Sequence, residues 1–300
     1  MQSGITLSKD LDYLAARLHG RRSRLADGDR LQSFSSLKSV PDLANLLFPK
    51  IMFETPSDLQ RRMVRDLALE MDGILHHLTG TEARLMEWFI LRFHVENLKT
   101  LLRGILAKIP PATLERHLIT FPDKRPLDWA TRAKSAKSMD ALARLIPDES
   151  LRRMLSEARA VFPDRTEPFF IETALDESYF AEGLARAKAL PSTDRELITA
   201  LVSQESKIFH LMLTRRGKLE GDSPDAAALE RLAWQHYLRL ANRAFRRSLT
   251  PFGTITGYIG LRRMETANII TLSEGIRLQM TDDSIQRRMI SPLPPEAPHV

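Results

Sequence analysis

VENLKTLLRGI (Val95–Ile105) and TANIITLSEGI (Thr266–Ile276) share one outline: an asparagine, a charge six residues on, then Gly-Ile. Asn97, Leu101 and Gly104 stand at i, i+4 and i+7, as do Asn268, Leu272 and Gly275, so each set lies along one face of a helix. A third version lies between them in FHLMLTRRGK, where His210, Thr214 and Gly217 keep the spacing. A charge precedes each glycine: Arg103, Arg216 and Glu274. A glycine on a helix face lets a neighbouring helix come close, and an amide one or two turns earlier can bond that neighbour's backbone. The outline is one of packing, not catalysis. Two other origins stay open: coincidence among long helices, and, for a terminal glycine such as Gly217, a plain helix C-cap. The copies are unevenly spaced along the chain, which excludes a regular solenoid.

Outward from these stretches, nearly every segment has the 3.6-residue apolar period and none shows alternation with hairpin turns, so the chain reads as all-α. Ser57 precedes a predicted helix over 58–78, and Thr81 starts a long one to about Lys108, stopped by Pro110 and Pro111. Shorter helices are expected at 112–119, 127–136, 139–146 and 149–161, with FPDRTEPFF as a loop. Thr193 and Glu196 form a capping box before a helix to about Arg216, and Ser223 with Pro224 opens another to about Leu249. After Pro251 and Gly253 a helix is expected over about 256–278, and Thr281 caps a last one to Met289. The proline-rich tail SPLPPEAPHV is expected to be disordered.

The composition, 43% hydrophobic and 27% charged over 300 residues, suits a chain with a real core. Having no cysteine excludes disulfides, thiolate metal sites and a cysteine nucleophile, and favours a reducing, cytoplasmic setting. MQSGITLSKDLDYL lacks the pattern of a secretory signal. The most apolar region, Trp88–Ile109, is interrupted by Arg92, His94, Glu96, Asn97, Lys99, Arg103 and Lys108, too many polar groups for a bilayer span.

Reactive constellations are not found. There is no HExxH, and His76 and His77, being adjacent, point apart on a helix, so no metal is expected. GxxxxGK[ST], GxGxxG and GxSxG are absent, which leaves no cofactor, no nucleotide and no catalytic residue to assign. Asp282 and Asp283 read as carboxylates at a helix start. The net charge of +6 is modest. Arg21, Arg22 and Arg24, then Arg215, Arg216 and Lys218, then Arg246 and Arg247, are basic clusters suited either to solvent and protein rims or to phosphates. A basic helical nucleic-acid binder is thus the alternative reading.

YLAARLHGRRSRL, WFILRFHVENLKTLLRG, LDESYFAEGL with SKIFHLMLTRRGK, and GYIGLRRMETANIITLSEGIRL with TDDSIQRRM together resemble the C subunits of bacterial V-type and archaeal A-type ATP synthases, the counterparts of the d subunit in vacuolar ATPases. The resemblance implies three related helical bundles around a pseudo-threefold axis, forming a funnel. Residues 1–110, 111–220 and a shorter 221–290 would be the three units, with 291–300 a tail. It implies a non-catalytic rotor part, peripheral to the membrane, that couples central-stalk subunits of the D and F type to the proteolipid ring, with no nucleic acid and no small-molecule substrate. His210 in place of an amide, and Glu274 in place of a basic residue, depart from the pattern.

Overall fold

A computed structural model describes residues 3–120, 129–161, 167–217 and 224–291; of residues 3–10, 214–217 and 224–227 it describes the backbone only. The described residues form helices and no strand. In chain order these are α1 (Ser3–Arg22), α2 (Gly28–Phe34), α3 (Val40–Leu47), α4 (Pro56–Leu75), α5 (Gly80–Leu106), α6 (Pro111–Glu115) and α7 (Trp129–Ala133). After them come α8 (Met139–Leu145), α9 (Glu149–Val161), α10 (Pro168–Lys188), α11 (Ser192–Gly217), α12 (Pro224–Arg247), α13 (Pro251–Arg277) and α14 (Asp282–Arg288).

Several boundaries differ from the sequence reading, each for a local reason. Helix α4 begins at Pro56, because the cap is Thr55 and not Ser57: Thr55 Oγ1 accepts the Asp58 amide at 3.2 Å while Asp58 Oδ2 accepts the Thr55 amide at 2.9 Å. Helix α13 begins at Pro251, well before Thr256. Its cap is Thr250, whose hydroxyl accepts the Gly253 amide, and Pro251 sits in the first turn, where a missing N–H costs nothing. Helix α10 takes in the last part of FPDRTEPFF, and residues 162–166 of that segment lie outside the described residues. So do Ser223 and the tail beyond 291.

Two compact units are present, one of residues 68–189 and one of residues 1–67 with 190–300. In the first, α5 and α10 lie side by side. Trp88 of α5 stacks on Tyr179 of α10 at 4.7 Å and donates its indole N–H to the Tyr179 carbonyl at 2.7 Å. Gly183 leaves room for that ring, since a Cβ there would stand 2.2 Å from Trp88. In the second unit α13 is central, with buried residues along almost its whole length. At its start a Cβ on Gly257 would meet the backbone of α12, 2.3 Å from Phe245 N and 2.7 Å from Ala241 O. At its end Ile269, Leu272 and Ile276 pack with Leu59 and Met63 of α4, Leu43 of α3, Phe34 of α2 and Ile285 of α14.

Three successive helix pairs have closely matched lengths: α4 and α5 with 20 and 27 residues, α10 and α11 with 21 and 26, α12 and α13 with 24 and 27. The long helix α5 lies along α10, which opens the next pair; α11 lies along α12, with Gln204 donating to the Ala233 carbonyl at 2.9 Å. The end of α13 meets the start of α4, where Gln60 donates to Glu274 at 2.6 Å.

Candidate functional site

The repeated outline builds the same joint twice. In α5 the Asn97 side chain donates to the Ile119 carbonyl at 2.8 Å and accepts the Ile119 amide at 2.8 Å, pinning the segment that follows α6. In α13 Asn268 does this to Ile290, at 2.7 and 2.8 Å, and in both copies the partner lies 22 residues on. A primary amide carries both a donor and an acceptor in one plane, which is why this position is asparagine. Two turns later, Gly104 receives Leu114 of α6 and Gly275 receives Ile285 of α14. A Cβ would stand 2.4 Å and 2.6 Å from them respectively.

The two long helices also end alike. Lys108 and Gln279 take φ of 54°, the left-handed conformation that L residues with side chains adopt rarely. The next amide then turns back to the glycine: Ile109 N–H bonds the Gly104 carbonyl, and Met280 N–H the Gly275 carbonyl, both at 2.9 Å. This six-to-one closure satisfies carbonyls that a helix end would leave open. Each glycine therefore supplies both an open face and the acceptor for the cap.

The charge before Gly104 and the charge before Gly275 are tethers. Arg103 makes two bonds of 2.6 Å to Glu172 of α10. Glu172 raises the Arg103 guanidinium above its ordinary range, chiefly by that hydrogen bond. Glu274 accepts Gln60 of α4 and Arg277 of its own helix, and the bonds from Arg277 and then Gln60 hold its carboxyl below the usual range. The departure of Glu274 from the basic pattern is thus a change of partner, with the tether kept.

The middle version differs. His210 is exposed and its Nδ1 meets the Ser206 carbonyl of its own helix at 2.7 Å. The side chains of Thr214, Arg215 and Arg216 lie outside the described residues, and Gly217 is the last residue of α11. Of the other basic clusters, Arg22 pairs with Asp27, Arg21 is half-buried, Arg24 is exposed, and Arg246 and Arg247 are exposed at the end of α12.

Two charged groups inside the helix packing carry no signature in the sequence. Between α5 and α10, Lys99 meets Asp176 at 2.5 Å and Glu96 at 3.2 Å, while Arg92 meets the same two carboxylates at 2.8 and 2.7 Å. Burial pushes the Glu96 carboxyl up, but Arg92 and Lys99 outweigh it and hold the group below its ordinary value. In the other unit Arg263 of α13 takes Glu205 of α11 in a two-pronged pair and donates to the Tyr237 hydroxyl of α12 at 3.3 Å. Burial raises the Tyr237 phenol, with Glu205 adding to it and Arg263 opposing. Cutting one partner from such a pair leaves an uncompensated buried charge. Glu265, also buried, accepts the Ala26 amide at 2.6 Å and fixes the start of α2 against α13. His94, buried beside Trp129, has its imidazole pushed down to about 4 by burial, against a small opposing effect of Asp148.

These arrangements hold helices at fixed distances and angles. Close-packed, cross-tied helices resist deformation. Among the described residues no helix is long and apolar enough to cross a membrane.

Comparison with known proteins bears on that arrangement. The family model described as ATP synthase (C/AC39) subunit matches residues 14–228 and 216–288. The chain is also 24% identical over 245 residues to the C subunit of the V-type ATP synthase of Deinococcus radiodurans, spanning 74% of this chain and 67% of that one.

Proposed function

The chain belongs to the ATP synthase (C/AC39) subunit family, and we propose that it is the non-catalytic central-rotor subunit of a V/A-type rotary ATPase, seated on the proteolipid ring and holding the central stalk. In this role it hydrolyses nothing. Torque developed on the stalk passes through it to the ring, and ion movement follows. It is peripheral to the membrane on the cytoplasmic side. Its three units are the helix pairs with their appended short helices, set about a pseudo-threefold axis so that a socket opens for the stalk.

The observation that carries this reading is the family match, which covers residues 14–228 and 216–288. The two matching joints support common descent of the first and third units, and the tethers at Arg103 and Glu274 support a body stiff enough to carry torque. Neither the family match nor the fold favours the nucleic-acid alternative.

The experiment is purification of the tagged chain from its native membranes in mild detergent, followed by identification of its companions. Recovery of a proteolipid together with catalytic ATPase subunits is expected. Recovery of neither, from membranes that contain both, contradicts the proposal.

A further inference from the structure

Helix α12 shows an exposed face that the proposed role leaves unexplained. Leu229, Leu232, His236, Arg239, Arg243 and Arg246 are all exposed and follow one another at alternating spacings of three and four. That spacing keeps six side chains on one stripe, about 26 Å long at 1.5 Å per residue. The opposite face, with Leu238, Ala241, Ala244 and Phe245, is buried. The stripe is split along its length: leucines at 53% and 47% exposure at the start, arginines at the end.

The arginines at the end of the stripe are open to an external partner. Elsewhere Arg62, Arg92, Arg103, Arg153, Arg186 and Arg263 each meet a carboxylate. Arg239, Arg243 and Arg246 meet none among the described residues. The local field is positive as well. Partial burial, then Arg239 and Lys207 of α11, lower the His236 imidazole below its ordinary value.

We propose that this stripe is a docking seam for an acidic amphipathic helix of a partner protein, one that presents apolar residues to Leu229 and Leu232 and carboxylates to Arg239, Arg243 and Arg246. The repeat of three and four is the spacing at which two helices interdigitate over several turns. Helix-on-helix recognition reads anchors at this period. Charge complementarity selects the occupant. A nucleic acid would use the arginines but gives the leucines no partner. A lipid surface takes up a helix whose apolar residues run along its whole length, whereas here one half of the same stripe is cationic. Only a partner with an apolar half and an acidic half satisfies both ends, and the arginines would steer it and set its direction. The inference rests on this chain's own surface and holds whatever assembly the chain serves.

The test uses the full chain and a synthetic, fluorescently labelled helical peptide carrying leucine at the first two core positions and glutamate at the next three. The control peptide has lysine for glutamate. Anisotropy titration should give saturable binding of the glutamate peptide and none of the lysine peptide. The triple variant Arg239→Glu, Arg243→Glu, Arg246→Glu should weaken binding about tenfold or more, since it turns attraction into repulsion at each contact. Leu229→Ser with Leu232→Ser should weaken it separately. All these positions are exposed, and circular dichroism verifies that the variants stay helical. Unchanged binding by the arginine variant, or equal binding of both peptides, overturns the proposal. So does tighter capture of phosphatidylglycerol vesicles or of a single-stranded oligonucleotide that the arginine variant abolishes and the leucine variant leaves intact.

Discussion

Replacing Asn97 or Asn268 by alanine removes the same pair of bonds from two distant parts of the chain, and the cost can be worked out from the geometry. Each asparagine makes two hydrogen bonds of 2.7–2.8 Å, to the backbone of Ile119 or Ile290. Two such bonds contribute about 1 kcal/mol each, and the abandoned N–H and C=O, half-buried, add a desolvation cost of about 1–2 kcal/mol. The sum is about 3–4 kcal/mol for either variant. Because the local geometry repeats, the two values should agree within about 1 kcal/mol. Fluorotryptophan NMR during urea titration reads them apart: Trp88 and Trp129 belong to the unit of Asn97, and Trp234 to that of Asn268. Each variant should lower the midpoint of its own unit's indoles. A loss under about 0.5 kcal/mol in either copy would refute the view that these joints hold the short helices to the long ones.

Gly257→Ala should destabilise by about 1–3 kcal/mol despite the better helix propensity of alanine, because the clash is with the backbone of α12; Gly73→Ala, with open space around it, should be neutral or stabilising, and thermal melts that rank the two the other way disprove the close-approach argument. Gln279→Gly should raise the melting temperature, relieving a left-handed residue at a cost of about 1 kcal/mol; a lower melting temperature counts against the cap. His94 adds a pH dependence. Its folded value of about 4 lies below the unfolded one, so the unfolded chain binds the proton first as pH falls. Stability is therefore full above about pH 6.5 and declines by about 3 kcal/mol on the way to pH 4. Urea unfolding at pH 7 and 4.5 should show that part of the decline absent in His94→Gln, and an equal decline in both proteins contradicts it.

Much of the architecture is legible in the residues, and what stays hidden has physical causes. The asparagine and glycine of the outline are visible because few residues can replace them, one for its paired donor and acceptor and the other for its missing side chain. Their partners are not. Ile119 and Ile290 take part through backbone groups that any residue carries, and Leu114 and Ile285 look like ordinary apolar positions. The start of α13 is easily misplaced because proline and glycine read as breakers, whereas Pro251 opens the helix and Gly257 serves close contact with α12. The tethers reverse sign between copies, Arg103 with Glu172 and Gln60 with Glu274, so no charge pattern along the chain reveals them. Nor does local sequence foretell that residues 1–67 share a unit with 190–300, since that union rests on contacts far apart in the chain.

The claim that this chain couples stalk to ring is tested most directly by measuring ion pumping and ATP hydrolysis together, in membranes with and without it. Loss of pumping per ATP hydrolysed when the chain is deleted, restored by adding it back, is the predicted result. Pumping that persists at the wild-type ratio to hydrolysis contradicts the account.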